Sequence, residues 1–297
     1  MPVTAKKQAA KEAHPTLEIL RAPNLARFKW LLHGFSTRQD GNLGFTQGAA
    51  VAAVRRNRAK FLRALSGARG QAPELVTLKQ LHSDLIHRVD SRVDAPPKAM
   101  LQGDGLITDV AGLVLAIQTA DCLPILLVDP KRRAVGALHA GWRGTLARIA
   151  EKGVGLMWQH FGSRARDLVA AIGPGVHACC YEVGREVRER FESQFAYAGE
   201  LFPEVQDSDP VREKYPLLFL TARAPGHSQL PPRIFLDLVK ANLRQLKDAG
   251  LRPANIHASP LCTACRPDLL FSHRAEEGKT GRMLGGIGIR KEKGMRG

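Results

Sequence analysis

A mixed α/β fold is what this 297-residue sequence predicts, and three observations predict it. Strand-like and helix-like segments alternate along most of the chain, the pattern of sheets covered by helices. Two neighbouring segments, GLVLAIQTA and LPILLVD, are apolar at nearly every position, as strands are when both faces of their sheet are covered. The composition, 44% hydrophobic against 24% charged, is that of a chain able to bury a large core.

The elements follow in order. Residues 1 to about 22 read as a polar, basic leader with no hydrophobic segment of the secretory type. KWLLHGFST reads as a strand, AAVRRNRAKFLRAL as a helix, and ELVTLKQLHSD and GDGLITD as two further strands. The first of these ends at His82, with Ser83 and Asp84 opening the loop. GLVLAIQTA, LPILLVD and AVGALHA are strands, the last two paired as a hairpin through the turn around Asp129 to Arg133. Gly141 and Gly144 permit a tight turn before TLARIAEKGVGLMWQHF, a helix expected from near Thr145. LVAAIGP is a strand and VGREVRERFESQF a helix. From about Tyr197 to Pro232 the stretches FPEVQDSDP and APGHSQLPPR break this rhythm, which reads as a long surface excursion. FLDLVKANLRQLKDAG is a helix stopped by Gly250, and NIHASPLCT a strand. Residues 291–297 form a basic tail, leaving 23–290 with no internal repeat or linker, a length that fits one large domain or two smaller ones.

Lys and Arg total 44 against 28 Asp and Glu, a net charge of +16 that favours phosphate, on nucleic acid or on a small substrate. Much of it lies at the ends (Lys6, Lys7, Lys11, Arg290, Lys291, Lys293, Arg296) or in the turn DPKRRA, as solvated charge does. There is no helix-turn-helix signature or zinc-finger spacing, and aromatics are only 6%, so no specific nucleic-acid partner is expected. No apolar run approaches the roughly 20 residues of a membrane span, so a cytoplasmic chain without a membrane partner is expected. Five cysteines, an odd number in a core-rich chain, read as reduced thiols.

The apolar run from Leu115 is interrupted by Thr119, Ala120, Asp121 and Cys122, a thiol and a carboxylate where packing needs neither. If LPILLVD and AVGALHA pair about their turn, Cys122 and His139 approach each other. With His82 they supply the three donors of a catalytic zinc site, the fourth position being left to water or substrate. Separations of 40 and 17 residues match no local zinc pattern, so on spacing alone a buried thiol with two hydrogen-bonded core histidines fits better than a zinc site. A metal-free dyad of Cys122 and His139 also stays open. A true laccase draws on H-x-H pairs, and none of the ten histidines is two residues from another. Cys262 and Cys265 form a lone C-x-x-C beside Pro267 and, with no second pair, read as packed surface thiols rather than a zinc knuckle.

The set LHGFSTR, QLHSD, GDGLITD, LAIQTADCLPILLVDP, GALHAGWRGT, AIGPGVHACCYEVG, FLDLVKANLRQL and LCTAC…FSHR…TGRMLGGI resembles the laccase-domain family from about His33 to Ile289. Its members are known as YfiH-like proteins, multicopper polyphenol oxidoreductases and purine nucleoside phosphorylases. The resemblance implies a single-domain α/β/β/α sandwich of the cytotoxic necrotizing factor type, with zinc on His82, Cys122 and His139. It implies phosphorolysis of adenosine, inosine, guanosine and methylthioadenosine, with adenosine deamination beside it; some members are instead described as peptidoglycan editing factors. Copper can enter the same Cys/His site adventitiously, because it outcompetes zinc there. The chain departs from the family pattern twice: the glycine-rich loop after the first strand is shortened to RQDGNLGF, and GPCIGPCCYEVG reads GPGVHACCYEVG, with Gly175 for a cysteine and His177 unusual.

Phosphorolysis needs a phosphate near C1′ and a stabilised departing purine. Arg38 and Arg143 suit the phosphate, since guanidinium binds oxyanions bidentately, and Arg143 equally suits packing on Trp142. Besides Cys122, Asp121 and Arg143 are the catalytic candidates; Asp121 or Asp84 fits a proton shuttle, or a carboxylate that orients the ligand histidines. His33, His273, Arg274 and Arg282 fall in motifs from which the family builds its pocket, and with Arg38 are the substrate-binding candidates.

Overall fold

The two apolar segments around TADC fold into strands of two different sheets. The structure is a computed structural model and describes residues 19–46, 48–67, 72–90, 101–206, 214 and 232–291. One sheet runs in the order β1 (Leu31–Phe35), β13 (Met283–Ile289), β5 (Leu113–Thr119), β2 (Glu74–Val76). The other runs β12 (Ile256–Ala258), β8 (Val169–Ile172), β6 (Leu123–Asp129), β7 (Ala134–Ala140), β4 (Gly105–Thr108), β3 (Ile86–Arg88). A small third sheet joins β9 (Glu182–Val183), β11 (Arg233–Phe235) and β10 (Glu204–Val205).

Alternation of side chains explains why the central strands carry almost no polar residue. From β5, Leu113, Leu115 and Ile117 meet Leu126 and Val128 of β6, Val135 and Ala137 of β7 and Ile287 of β13 in a core between the two large sheets. The intervening Val114 and Ala116 face outward with Leu32 and Leu284 onto Phe61 and Leu65 of α1 (Val51–Ser66). On the far side, Leu123, Ile125, Leu127 and Leu138 pack against three helices: α3 (Ile149–Phe161) through Ile149, Val154 and Met157, α4 (Arg185–Glu192) through Phe191, and α5 (Leu238–Asp248) through Ala241 and Leu246. An α/β/β/α layering results, as the resemblance implies. Among the described residues no helix is long and apolar enough to cross a membrane.

The TADC interruption is the crossing itself. β5 ends at Thr119 in the four-stranded sheet and β6 begins at Leu123 in the six-stranded one, so Ala120, Asp121 and Cys122 carry the chain between layers, with Asp121 at φ 93°. The hairpin of β6 and β7 has the expected turn, with Pro124 opposite His139 and Asp129 opposite Ala134.

Two elements differ from the sequence reading. ELVTLKQLHSD is a strand only over Glu74–Val76; His82 sits in an irregular loop at φ 59° because the amides of Leu81, His82 and Ser83 donate to the Asp104 carboxylate instead of to a neighbouring strand. The helix expected from Thr145 starts earlier, as α2 (Trp142–Leu146), and breaks at Arg148, whose φ of 64° no helix accommodates, before α3 resumes. Helix α5 ends as expected: Gly250 follows its last turn at φ 98°. Of the expected surface excursion, Ala198–Leu201 is a 3-10 turn and β10 follows, while 207–213 and 215–231 lie outside the described residues. So do residues 1–18 of the expected leader and 292–297 of the tail.

Candidate functional site

The β6–β7 register decides where the thiol goes. Leu123 pairs with Ala140, so Cys122 and Gly141 are the next positions past the end of the hairpin, and His139 stands beside them. A Cβ on Gly141 would lie 2.8 Å from the Cys122 sulfur and 3.4 Å from the His82 ring, which is why a residue without a side chain is needed there. The His82 and His139 rings meet edge to face with centroids 4.9 Å apart. The ligand atoms of His82, Cys122 and His139 all lie within 4.8 Å of one another.

Asp104 holds this group together. Fully buried between Gly103 and Gly105, its carboxylate accepts from the His139 Nδ1 at 2.8 Å, from the backbone amides of Leu81 at 3.1 Å, His82 at 3.0 Å and Ser83 at 2.6 Å, and from the Ser83 hydroxyl at 2.7 Å. Burial alone would raise its pKa, but His139 and the Ser83 donors outweigh burial and hold Asp104 down at about 2. The same balance acts on the other two groups. Burial would raise the Cys122 thiol, yet the facing His139 and His82 bring it well below the usual thiol range. Burial would lower His139, yet the Cys122 sulfur and the Asp104 carboxylate raise it. A thiolate facing an imidazole whose Nδ1 is committed to a carboxylate leaves Nε2 for the triad side.

Those features suit a metal ion. Two imidazoles and a thiolate are borderline-soft donors of the zinc type, their mutual distances are near those of a coordination sphere, and a carboxylate behind the histidine is the usual outer support. The triad forms the floor of a cleft of about 630 Å³. Arg58, Lys79, Arg143, Arg274 and Arg282 line it, with Phe45, Trp142 and Tyr181 as aromatic walls. The lining's one carboxylate, Asp121, is already engaged: it accepts from the Thr263 hydroxyl at 2.6 Å, the Ser272 hydroxyl at 2.7 Å and the Arg274 amide at 2.6 Å. The cleft is therefore strongly cationic.

Of the residues singled out in the sequence, His82, Cys122, His139, Asp121, Arg143, His273, Arg274 and Arg282 border this cleft. Arg143 also stacks on Trp142, 4.3 Å from the ring centroid. Arg38, His33 and Asp84 are not among its lining residues. Arg38 faces a neighbouring cavity, paired with Glu276 at 2.7 Å and lying over Phe271. His33 is 2% exposed inside β1, its Nε2 3.3 Å from the Ala22 carbonyl oxygen. Asp84 pairs with Lys152. Gly175, where the family pattern has a cysteine, is hemmed in: a Cβ there would lie 2.4 Å from Leu123.

Sequence reasoning missed Asp104 and Arg58. The signal for Asp104 was present in GDG: a Cβ on Gly103 would lie 2.8 Å from the Leu85 carbonyl oxygen and one on Gly105 2.6 Å from Ile86, so both glycines serve the close approach that seats the carboxylate. Arg58 is one of several basic residues on α1 and nothing in the sequence marks it. It donates through Nε to the Leu43 carbonyl at 2.7 Å, lies over Phe45 at 4.5 Å, and has its Nη2 buried without a protein partner; burial lowers its pKa to about 10.

Residues 32–290 match the family described as multi-copper polyphenol oxidoreductase laccase. The chain belongs to that family. Among laccase-family relatives, a protein of Deinococcus radiodurans named purine nucleoside phosphorylase is 34% identical over 291 residues, 95% of this chain and 97% of its own length. A protein from an unknown prokaryotic organism named adenosine deaminase RL5 is 34% identical over 219 residues, 72% of this chain and 74% of its own. The crystal structure of the Bacillus licheniformis hypothetical protein YfiH superimposes with a TM-score of 0.72 at 31% identity, covering 88% of this chain and 94% of that one.

Proposed function

We propose that this laccase-family protein is a zinc-dependent purine nucleoside phosphorylase that also deaminates adenosine. Adenosine, inosine, guanosine and methylthioadenosine are its proposed nucleosides, and cytoplasmic inorganic phosphate its second substrate. The observation that carries this reading is a cleft lined by five cationic side chains that opens directly onto the His82, Cys122 and His139 triad. The names of the relatives from Deinococcus radiodurans and the unknown prokaryote support the two activities.

In phosphorolysis the C1′–N9 bond breaks with its electron pair passing to the purine, while a phosphate oxygen bonds C1′. Arg143, Arg274 and Arg58, which all line the cleft, hold the phosphate, because planar guanidinium groups match its oxygens and neutralise its charge in a partly dry cleft. Trp142 and Tyr181 offer flat faces for the base. Asp121 positions rather than reacts: its three donors tie the segment carrying Thr263, Ser272 and Arg274 to the strap that presents Cys122. Asp104 fixes the His139 ring and the His82 backbone, and so presents both imidazoles to one point. His82, Cys122 and His139 would hold zinc, which would supply Lewis acidity toward the polar groups of the purine or of water. Arg38 and His33, outside the cleft, serve the framework in this reading.

Chromatography of adenosine or inosine incubated with the protein, with and without phosphate, tests the proposal. Free base and ribose 1-phosphate are expected only when phosphate is present. Base release independent of phosphate, or no turnover of any purine nucleoside alongside cleavage of a peptidoglycan precursor, overturns it.

A further inference from the structure

The four remaining cysteines take no part in the chemistry above, yet the fold gathers them. Cys179 and Cys180 come from the loop between β8 and β9, and Cys262 and Cys265 from the loop after β12. The C-x-x-C that looked unpaired in the sequence thus has a second pair, a vicinal one that spacing rules do not flag. All four sulfurs lie within 4.8 Å of one another. Cys265 Sγ is 3.5 Å from that of Cys179 and 3.3 Å from that of Cys180.

Packing does not account for the gathering, because Cys179 and Cys265 are exposed and only Cys262 is buried. Disulfide bonding does not account for it either, since bonded sulfurs stand about 2.0 Å apart. Zinc–sulfur bonds of about 2.3 Å in a tetrahedron place sulfurs roughly 3.8 Å apart, and the separations here are close to that. The backbone amide of His177 points at the Cys262 sulfur, 3.5 Å away, as amides do toward metal-bound thiolates. His177 is the residue that departs from the family's glycine.

The two loops already touch through their backbones: Gly175 bridges Cys262, and the Thr263 amide donates to the Gly175 carbonyl at 3.0 Å. Both loops feed the cleft. One continues into Tyr181, and the other passes through Thr263, bonded to Asp121, to His273 and Arg274.

We propose that Cys179, Cys180, Cys262 and Cys265 bind a second, structural zinc ion that clamps these loops and so fixes one wall of the cleft. Four thiolate ligands close the coordination sphere, leaving no position for substrate, and up to four thiol protons pass to the buffer on binding. The clamp stands whether or not the cleft processes nucleosides.

The test is the zinc content of the full-length protein, purified under reducing conditions and dialysed against a weak chelator. Wild type is expected to carry about two zinc ions, His82→Ala about one, Cys180→Ser/Cys265→Ser about one, and the triple variant none. Should the double variant misfold, His82→Ala loaded with cobalt reads the site with its cysteines intact: intense thiolate-to-cobalt absorption of a four-sulfur site is expected. Cys265→His, which keeps a ligand, should retain the ion. A His82→Ala protein devoid of metal and of cobalt absorption, iron in place of zinc, or fewer than five titratable thiols in unreduced wild type unfolded in the presence of a strong chelator would overturn the proposal.

Discussion

Replacing Asp104 by Asn changes one atom and should disable the triad while leaving most of the fold in place. One carboxylate oxygen accepts from Leu81, Ser83 and the Ser83 hydroxyl, the other from the His82 amide and His139 Nδ1. The oxygen of an Asn side chain can serve one set only, and its amino group then faces two donors on the other. If the oxygen keeps the first set, the His82 amide loses its acceptor and His139 must turn its lone pair toward the new amino group, moving its proton to Nε2, the atom the metal needs bare. Two hydrogen bonds to a charged group, each worth about 1.5–3 kcal/mol, are lost, and part of that falls on metal binding. Loss of such an outer partner typically weakens metal affinity 10–100-fold, or about 1.4–2.7 kcal/mol. Zinc competition against a chromogenic chelator measures this, with kcat for inosine phosphorolysis expected to fall in parallel and circular dichroism to stay native. An Asp104→Asn protein with wild-type zinc affinity would show that the carboxylate supports the loop alone and not the metal centre.

Three further outcomes are expected. Arg58→Gln removes a half-buried cation from the lining of the cleft and should raise KM for phosphate roughly tenfold or more while leaving KM for the nucleoside within about twofold; equal increases in both would assign Arg58 to packing. Gly141→Ala keeps an ordinary backbone, since φ is −80°, but sets a methyl 2.8 Å from the Cys122 sulfur, so the zinc affinity of the triad, read in the Cys180→Ser/Cys265→Ser background, should drop about tenfold with little loss of thermal stability; unchanged affinity would show that the thiol moves freely. Burial and the Arg21 charge lower His33 to about 4 from 6.5, so the unfolded chain binds its proton more readily than the folded one. The stability it preserves is complete above pH 6.5 and declines by roughly 1.4 kcal/mol per unit, about 3 kcal/mol in all, as pH falls toward 4. Urea unfolding at about pH 7.5 and about pH 5 should show a smaller pH effect in His33→Gln than in wild type, and an equal effect would place the acid sensitivity elsewhere.

What was legible in the sequence was what depends on neighbours in the chain. The hairpin that brings Cys122 beside His139 follows from two apolar runs and one turn, and the layering follows from strands with no polar face. Long-range polar contacts were not legible. His82 read as the end of a strand because the acceptor for its amide lies 22 residues further on, at Asp104. Arg58 was hidden among the other basic residues of α1, since helical periodicity does not tell a buried guanidinium from a solvated one. Cys179 and Cys180 reach their partners across about 85 residues, where no spacing rule applies.

The crossings between sheets set a condition on how the site comes into being. Cys122 lies on the strap from β5 to β6, and His82 on the passage from β2 to β3, which likewise leaves one sheet for the other. Only His139 and Asp104 belong to the six-stranded layer alone. The six-stranded sheet formed by itself fixes one of the three ligands, His139, and the four-stranded sheet fixes none, so the triad exists only once the layers have docked. Metal uptake by the triad thus doubles as a clock for the last assembly step: in a stopped-flow refolding experiment on the Cys180→Ser/Cys265→Ser variant, a zinc-sensitive dye should lose its ion no sooner than the inter-sheet core around Leu115 and Leu126 excludes water.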